Sequence, residues 1–235
     1  MQSCDEKKDL KTIAVKAADG MALKITTLKD LNATIDNLFS RIAAGEDQKL
    51  LEDLCPYFGN LWPAAQALTD HLAAMGDVWS GARVCEVGCG LALPSLYLAK
   101  RGATVVASDF HPDVPEFLKR NIELNKIPER HIIYVPTDWS ALRSDKEHHS
   151  LLQHRPYNWV IGSDVLYENT HPETLARALS LLAGKGGRIL IADPMRPYLQ
   201  SFIDAMGALG YRNDTHVRQV PTDQGRKDIM LVFLY

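Results

Sequence analysis

From residue 82 onward the sequence alternates short apolar runs with stretches of helical period, and this alternation constrains the fold more than any other feature. Arg83-Val84-Cys85-Glu86-Val87 reads as a strand, followed by a glycine-rich turn and a helix to about residue 101. Thr104 to Ser108 is a second strand, Val114 to Asn125 a helix, and Ile132 to Val135 a third strand. A fourth strand covers 157–163, a helix 172–183, a fifth strand 188–192 and a helix about 196–208. Tyr211 to Val220 and Asp228 to Leu234 read as two closing strands, joined by a loop from Pro221 to Gly225. Repeated strand–helix units predict an α/β fold, a doubly wound and mostly parallel sheet with helices on both faces. Ligands of such sheets bind at the carboxyl ends of the strands, near the point where strand order reverses.

The segment ahead of this pattern reads differently. Residues 12–26 form a hairpin pattern: Ile13, Val15 and Ala17 alternate, then Met21, Leu23 and Ile25, around an Ala-Asp-Gly turn. Thr27 with Asp30 resembles a capping box and predicts a helix from Thr27, with Leu31, Ile35, Leu38 and Ile42 on one face and Gly45 at its end. A short helix is expected near 46–54. Pro63 fits the first turn of a helix striped by Leu61, Ala65, Leu68, Leu72 and Met75. The chain therefore divides into an extension, 1–60, packed on a main domain, 61–235. A length of 235 residues suits that arrangement.

The net charge of −3 gives no support for a nucleic-acid binder. No apolar run approaches a membrane span, and the N-terminal Met-Gln-Ser-Cys-Asp-Glu-Lys-Lys is too polar for a secretory signal. Cys4, Cys55, Cys85 and Cys89 show no secreted-scaffold spacing and are expected as reduced thiols of a cytoplasmic protein. The chain is expected to act as a monomer.

The first strand of the alternating region ends Glu86-Val87-Gly88-Cys89-Gly90-Leu91-Ala92-Leu93. Two glycines here let backbone approach a ligand closely. A nicotinamide cofactor calls for G-x-G-x-x-G, and Leu93 stands at the third glycine position. A nucleoside cofactor with a cationic amino-acid tail fits better, because Glu86 can balance an ammonium or sulfonium charge. The next strand runs into Asp109, 21 residues after Gly88, where an acid can accept both ribose hydroxyls. Asp138 and Trp139 follow the third strand, where an acid and a flat ring could bind adenine. These residues at the ends of three successive strands favour S-adenosylmethionine.

The stretches LWPAAQAL (61–68), EVGCGLALPSL (86–96), SDFHPDVPEFLKRNIELN (108–125), TDW (137–139) and SDVLYE (163–168) resemble the protein lysine methyltransferases of seven-β-strand type, within the class I S-adenosylmethionine-dependent methyltransferases. The resemblance covers about 60–235 and implies a Rossmann-like seven-stranded sheet. It further implies that Trp62, Glu86, Gly88, Cys89, Gly90, Asp109, Phe110, Asp138, Trp139 and Ser163 surround the cofactor. The family's D-x-x-Y motif is matched by Asp164 and Tyr167. Ala92 stands where the family often has a third glycine, and a slight shift of the turn is expected.

Methyl transfer from a sulfonium needs alignment of donor and acceptor, and no metal. Asp164 is expected to orient an incoming amine, and Tyr167 to accept a hydrogen bond from it and favour its charge. The expected acceptor is a lysine of a protein; a small amine is the alternative. Cys85 and Cys89 have no companion ligands for zinc. His148, His149 and His154 read as a solvated loop, His111-Pro112 as a turn and Arg196 as a loop arginine.

Overall fold

The computed structural model describes residues 9–45, 54–142 and 149–235. Strands β1 (Leu10–Lys16) and β2 (Ala22–Leu28) pair as an antiparallel hairpin, followed by helix α1 (Leu31–Ala43). Helix α2 (Pro63–Ala74) leads into β3 (Arg83–Val87), α3 (Leu93–Lys100), β4 (Thr104–Asp109), α4 (Val114–Leu124) and β5 (Ile132–Pro136). Then come β6 (Trp159–Ser163), α5 (His171–Ala183), β7 (Arg188–Asp193), α6 (Leu199–Ala208), β8 (Asn213–Thr222) and β9 (Gly225–Leu234).

The main sheet has the order β5-β4-β3-β6-β7-β9-β8. Strands β3 to β7 are parallel, and β9 runs antiparallel to both β7 and β8. The chain builds outward from β3 to β5, then returns to lay β6 against β3. The reversal of strand order therefore falls between β3 and β6, where a crevice opens. Strand residues alternate between two cores, as the period of two requires. Val84, Val105, Ile161 and Leu190 join α2, α3 and α4 on one face. Cys85, Val106, Val160 and Ile189 join α5 and α6 on the other.

The hairpin shares the first of these cores through Val15, Leu23, Ile25 and Leu28. Two asparagines of the α4 region satisfy the free edge of β2. Asn121 Oδ1 accepts from Thr26 N–H at 2.7 Å, and Asn125 bonds both the N–H and C=O of Lys24, at 2.9 and 2.7 Å. Each such buried bond contributes about 1 kcal/mol.

Three local expectations are corrected. Helix α1 starts at Leu31, because Asp30 is the cap that accepts from Ala33 N–H, while Thr27 lies in β2 and donates its hydroxyl to Gly59 C=O. Helix α6 starts at Leu199 and not 196, since Pro197 disfavours helical backbone at Arg196 and Met195 is left-handed at φ 60°. Strands β8 and β9 run on to a tight turn at Asp223-Gln224, with Thr222 paired to Gly225, where a longer loop was expected. The helix expected near 46–54, all but its last residue, and His148 lie outside the described residues.

Candidate active site

The ends of β3, β4 and β6 open into one cleft, to which the segment before α2 adds Cys55, Tyr57, Phe58, Asn60 and Trp62. The turn after β3 forms its floor. Gly88 and Gly90 take positive φ of 60° and 49°. A Cβ on Gly88 would lie 2.7 Å from Val165 Cγ1 and 3.1 Å from Trp139 Cζ3. A Cβ on Gly90 would lie 3.3 Å from the Phe58 carbonyl oxygen. Ala92 takes a left-handed backbone (φ 59°), a conformation that favours glycine and costs an alanine about 1 kcal/mol. Cys89 is buried beside the turn, its N–H on the Ser108 carbonyl at 2.9 Å, and burial pushes its thiol pKa up.

Asp109 ends β4 and lines the cleft. Its Oδ2 accepts from Gly90 N–H at 2.9 Å and its Oδ1 from His111 N–H at 3.0 Å, so the acid is locked to the glycine turn. Burial raises its pKa, against backbone hydrogen bonds from His111, Gly90 and Phe110. Phe110 is exposed at the mouth. His111 makes the expected turn, its Nδ1 accepting from Asp113 N–H at 3.1 Å, and its ring lies 4.3 Å from Phe58. Trp139 is buried with an edge-on contact to His171 at 5.6 Å. Trp62 caps α2 and donates its indole N–H to Tyr57 C=O at 2.9 Å.

Two expected cofactor residues do not line the cleft. Glu86 is fully buried. It shares the α3 face of β3 with Val84, and its Oε2 accepts from the backbone N–H of Ser95 at 3.1 Å and from the Ser95 hydroxyl. The carboxyl thus satisfies the first turn of α3, whose early N–H groups lack partners within the helix. Its Oε1 has no hydrogen-bond partner among the described residues, and burial raises its pKa to about 8. Asp138 is exposed and caps the short turn at Trp139–Ala141, accepting from Ser140 N–H at 2.8 Å.

The raised Glu86 pKa has a testable sign. A carboxyl whose folded pKa lies above its unfolded value binds its proton more tightly when folded. Its contribution to stability is largest below about pH 4.5 and falls as pH rises towards about 8. Glu86→Gln should flatten that decline. Between about pH 5 and 8 the parent should lose about 1–3 kcal/mol more stability than the variant, read from thermal unfolding across pH. Parallel curves would show that Glu86 carries no such strain.

The opposite wall is the end of β6. Ser163 is followed by Asp164, which bends into the left-handed region (φ 61°) with its N–H on Ala192 C=O at 2.9 Å. Aspartate tolerates that conformation better than most residues. Asp164 and Tyr167 both line the cleft with Gly88, Gly90 and Asp109. Burial raises the Asp164 pKa, against the Arg196 and Lys227 charges. Burial also raises the Tyr167 pKa, so its phenol stays protonated. His171, at the start of α5, pins this loop: its Nδ1 lies 2.9 Å from Val165 C=O, and its ring meets Tyr167 edge-on at 4.6 Å.

Arg196 belongs to this wall, contrary to its reading as an ordinary loop residue. Its guanidinium donates to Asp164 Oδ1 and lies 5.8 Å from the centre of the Tyr167 ring. Tyr57, Phe58 and Asn60, which line the cleft, and His171, which supports it, are absent from the sequence reading, and Cys55 was expected there only as a reduced thiol. Pro56 and Gly59, which break the chain just ahead of the helix at Pro63, are the available signal for that segment. A histidine four residues beyond Tyr167 is the available signal for the support.

A family model described as "Lysine methyltransferase" matches residues 46–207. The chain is 29% identical over 154 residues to a histone-arginine methyltransferase of Rattus norvegicus, covering 62% of this chain and 65% of that protein. It is 27% identical to a calmodulin-lysine N-methyltransferase of Arabidopsis thaliana, covering 63% of this chain and 49% of that one. The aligned segments thus span about half to two thirds of these two relatives. A magnesium protoporphyrin IX methyltransferase from Synechocystis, solved with S-adenosylmethionine bound, shares the fold at a TM-score of 0.56 and 18% identity, covering 88% of this chain and 98% of that one. More than half of the sequence, including the glycine turn and the Asp164–Tyr167 motif, lies within the matched family model, and the chain belongs to the lysine methyltransferase family.

Proposed function

We propose that this chain transfers a methyl group from S-adenosylmethionine to a side-chain nitrogen of a protein, a lysine amine first. The observation that carries this reading is the meeting, in one cleft, of the Gly88–Gly90 turn and Asp109 with Asp164 and Tyr167 across the switch point. The cleft suits the cofactor. Gly88 and Gly90 bring backbone to the cleft floor without a Cβ, Asp109 is an acid fixed beside them at the end of β4, and Trp139, Phe110 and Trp62 offer apolar faces. When bound, S-adenosylmethionine supplies an activated methyl group on sulfur.

The protein's remaining task is to present the nitrogen. A lysine ammonium has no lone pair, and its deprotonation at neutral pH costs roughly 4–5 kcal/mol. Asp164 orients the arriving cation, and the Tyr167 ring favours its charge while the phenol stays available for hydrogen bonding. The surrounding burial lowers the amine's affinity for its proton. No described residue of 9–45 lines the cleft.

A second reading is an arginine acceptor. It is favoured by the guanidinium of Arg196 that already rests on Asp164 and Tyr167. The cited Rattus norvegicus relative also bears the name histone-arginine methyltransferase. Guanidinium is harder to activate, at about 8–9 kcal/mol for deprotonation at neutral pH. Incubation with radiolabelled S-adenosylmethionine and cell lysate, then acid hydrolysis of labelled bands, tests both. Methyl-lysine supports the first reading and methyl-arginine the second. Label confined to small molecules would overturn both.

A further inference from the structure

The reaction above leaves one group at the acceptor wall without a task, the guanidinium of Arg196. Left-handed Met195 turns the chain back after β7, and Arg196 N–H bonds Asp193 Oδ1 at 2.7 Å. This aims the side chain from the end of β7 across to the end of β6. The guanidinium meets Asp164, whose side chain is only 6% exposed, and stands over Tyr167, while remaining 28% exposed itself. It therefore occupies the two groups assigned above to the methyl acceptor. Asp193 is fully buried, its Oδ2 has no partner among the described residues, and its carboxyl interacts electrostatically with both Asp164 and Arg196.

We propose that Arg196 is an internal occupant of the acceptor-cation position and sets specificity by having to be displaced. The inference rests on the reading of Asp164 and Tyr167 as the acceptor site. Between turnovers the guanidinium keeps a buried carboxylate paired, which avoids the cost of an isolated charge. A stray ammonium then meets a carboxylate already satisfied, with Lys227 adding further positive charge nearby. Only an acceptor with additional contacts to the protein displaces Arg196. A partly exposed side chain on a loop after a strand can swing aside without disturbing the sheet.

The probes are n-butylammonium and n-butylguanidinium, titrated by calorimetry at about pH 8 into the full chain saturated with S-adenosylhomocysteine, conditions under which a carboxylate is ionised. A site free only a tenth to a hundredth of the time shows about ten- to a hundredfold weakened apparent affinity, so Arg196→Gln should bind these cations at least about tenfold more tightly. Arg196→Lys keeps a cation beside Asp164 and should stay near the parent. Affinity that is unchanged, weaker or undetectable in Arg196→Gln overturns the proposal. A merely structural role cannot produce tightening. S-adenosylhomocysteine affinity checks the fold, and Arg196→Met replaces the glutamine variant if that check fails. Failure of the parent to bind S-adenosylhomocysteine would instead remove the reading of the cleft itself.

Discussion

Asp164→Asn should bind S-adenosylhomocysteine within about threefold of the parent while losing about a thousandfold in methyl transfer, ~4 kcal/mol. Asparagine is the informative replacement because it tolerates the left-handed backbone at φ 61° and keeps the side-chain shape. It removes the charge and turns one acceptor oxygen into an amide donor, at nearly the same volume. The carboxylate is nearly buried and sits at the end of β6, whereas the glycine turn and Asp109 belong to β3 and β4. A loss confined to the transfer step therefore separates the acceptor wall from the cofactor wall. The measurements are calorimetric binding of the product nucleoside and radiolabel transfer to the acceptor found in lysate. Transfer at the parent's rate would remove Asp164 from the site, and a parallel loss of nucleoside binding would assign it to the cofactor instead.

The carboxyl-end residues of three strands were legible because strand–helix alternation locates strand ends, and strand ends locate the site. Gly88, Gly90, Asp109, Asp164 and Tyr167 all line one cleft on that logic. What the sequence hid was the direction of side chains and the neighbours of loops. Glu86 stood next to the glycines, yet a strand's period of two gives it the face of Val84, under α3. Asp138 carries the signal of a short cap, a serine two residues on, and bonds that serine. The Arg196–Asp164 contact joins residues 32 apart. It follows only once β6 and β7 are known to be neighbours, which a list of strands does not specify. The start of α1 was misplaced because Thr27 with Asp30 three residues on resembles a capping box, whereas Asp30 is itself the cap and pairing of β2 with β1 through Leu28 claims the threonine for the sheet.

Gly88→Ala should lower S-adenosylhomocysteine affinity by at least about a hundredfold and destabilise the fold by about 2–4 kcal/mol. Two separable costs produce the loss of stability. The backbone at φ 60° penalises any Cβ, by about 1–2 kcal/mol. The new methyl would also lie 2.7 Å from Val165 Cγ1 and 3.1 Å from the Trp139 ring. Val165 is two residues from Tyr167 and its carbonyl faces His171, so relief of the clash moves the acceptor loop as well as the turn. Val165→Ala deletes the nearer contact. Adding it to Gly88→Ala should therefore return about 1 kcal/mol relative to the sum of the single changes, a coupling readable by denaturant unfolding of the four proteins. Nucleoside affinity should not recover with it, because the left-handed strain and the Trp139 contact persist. Strict additivity would mean that the turn and the acceptor loop do not touch through this position. Recovery of binding in the double variant would place the whole defect in Val165 and not in the backbone that the glycine provides.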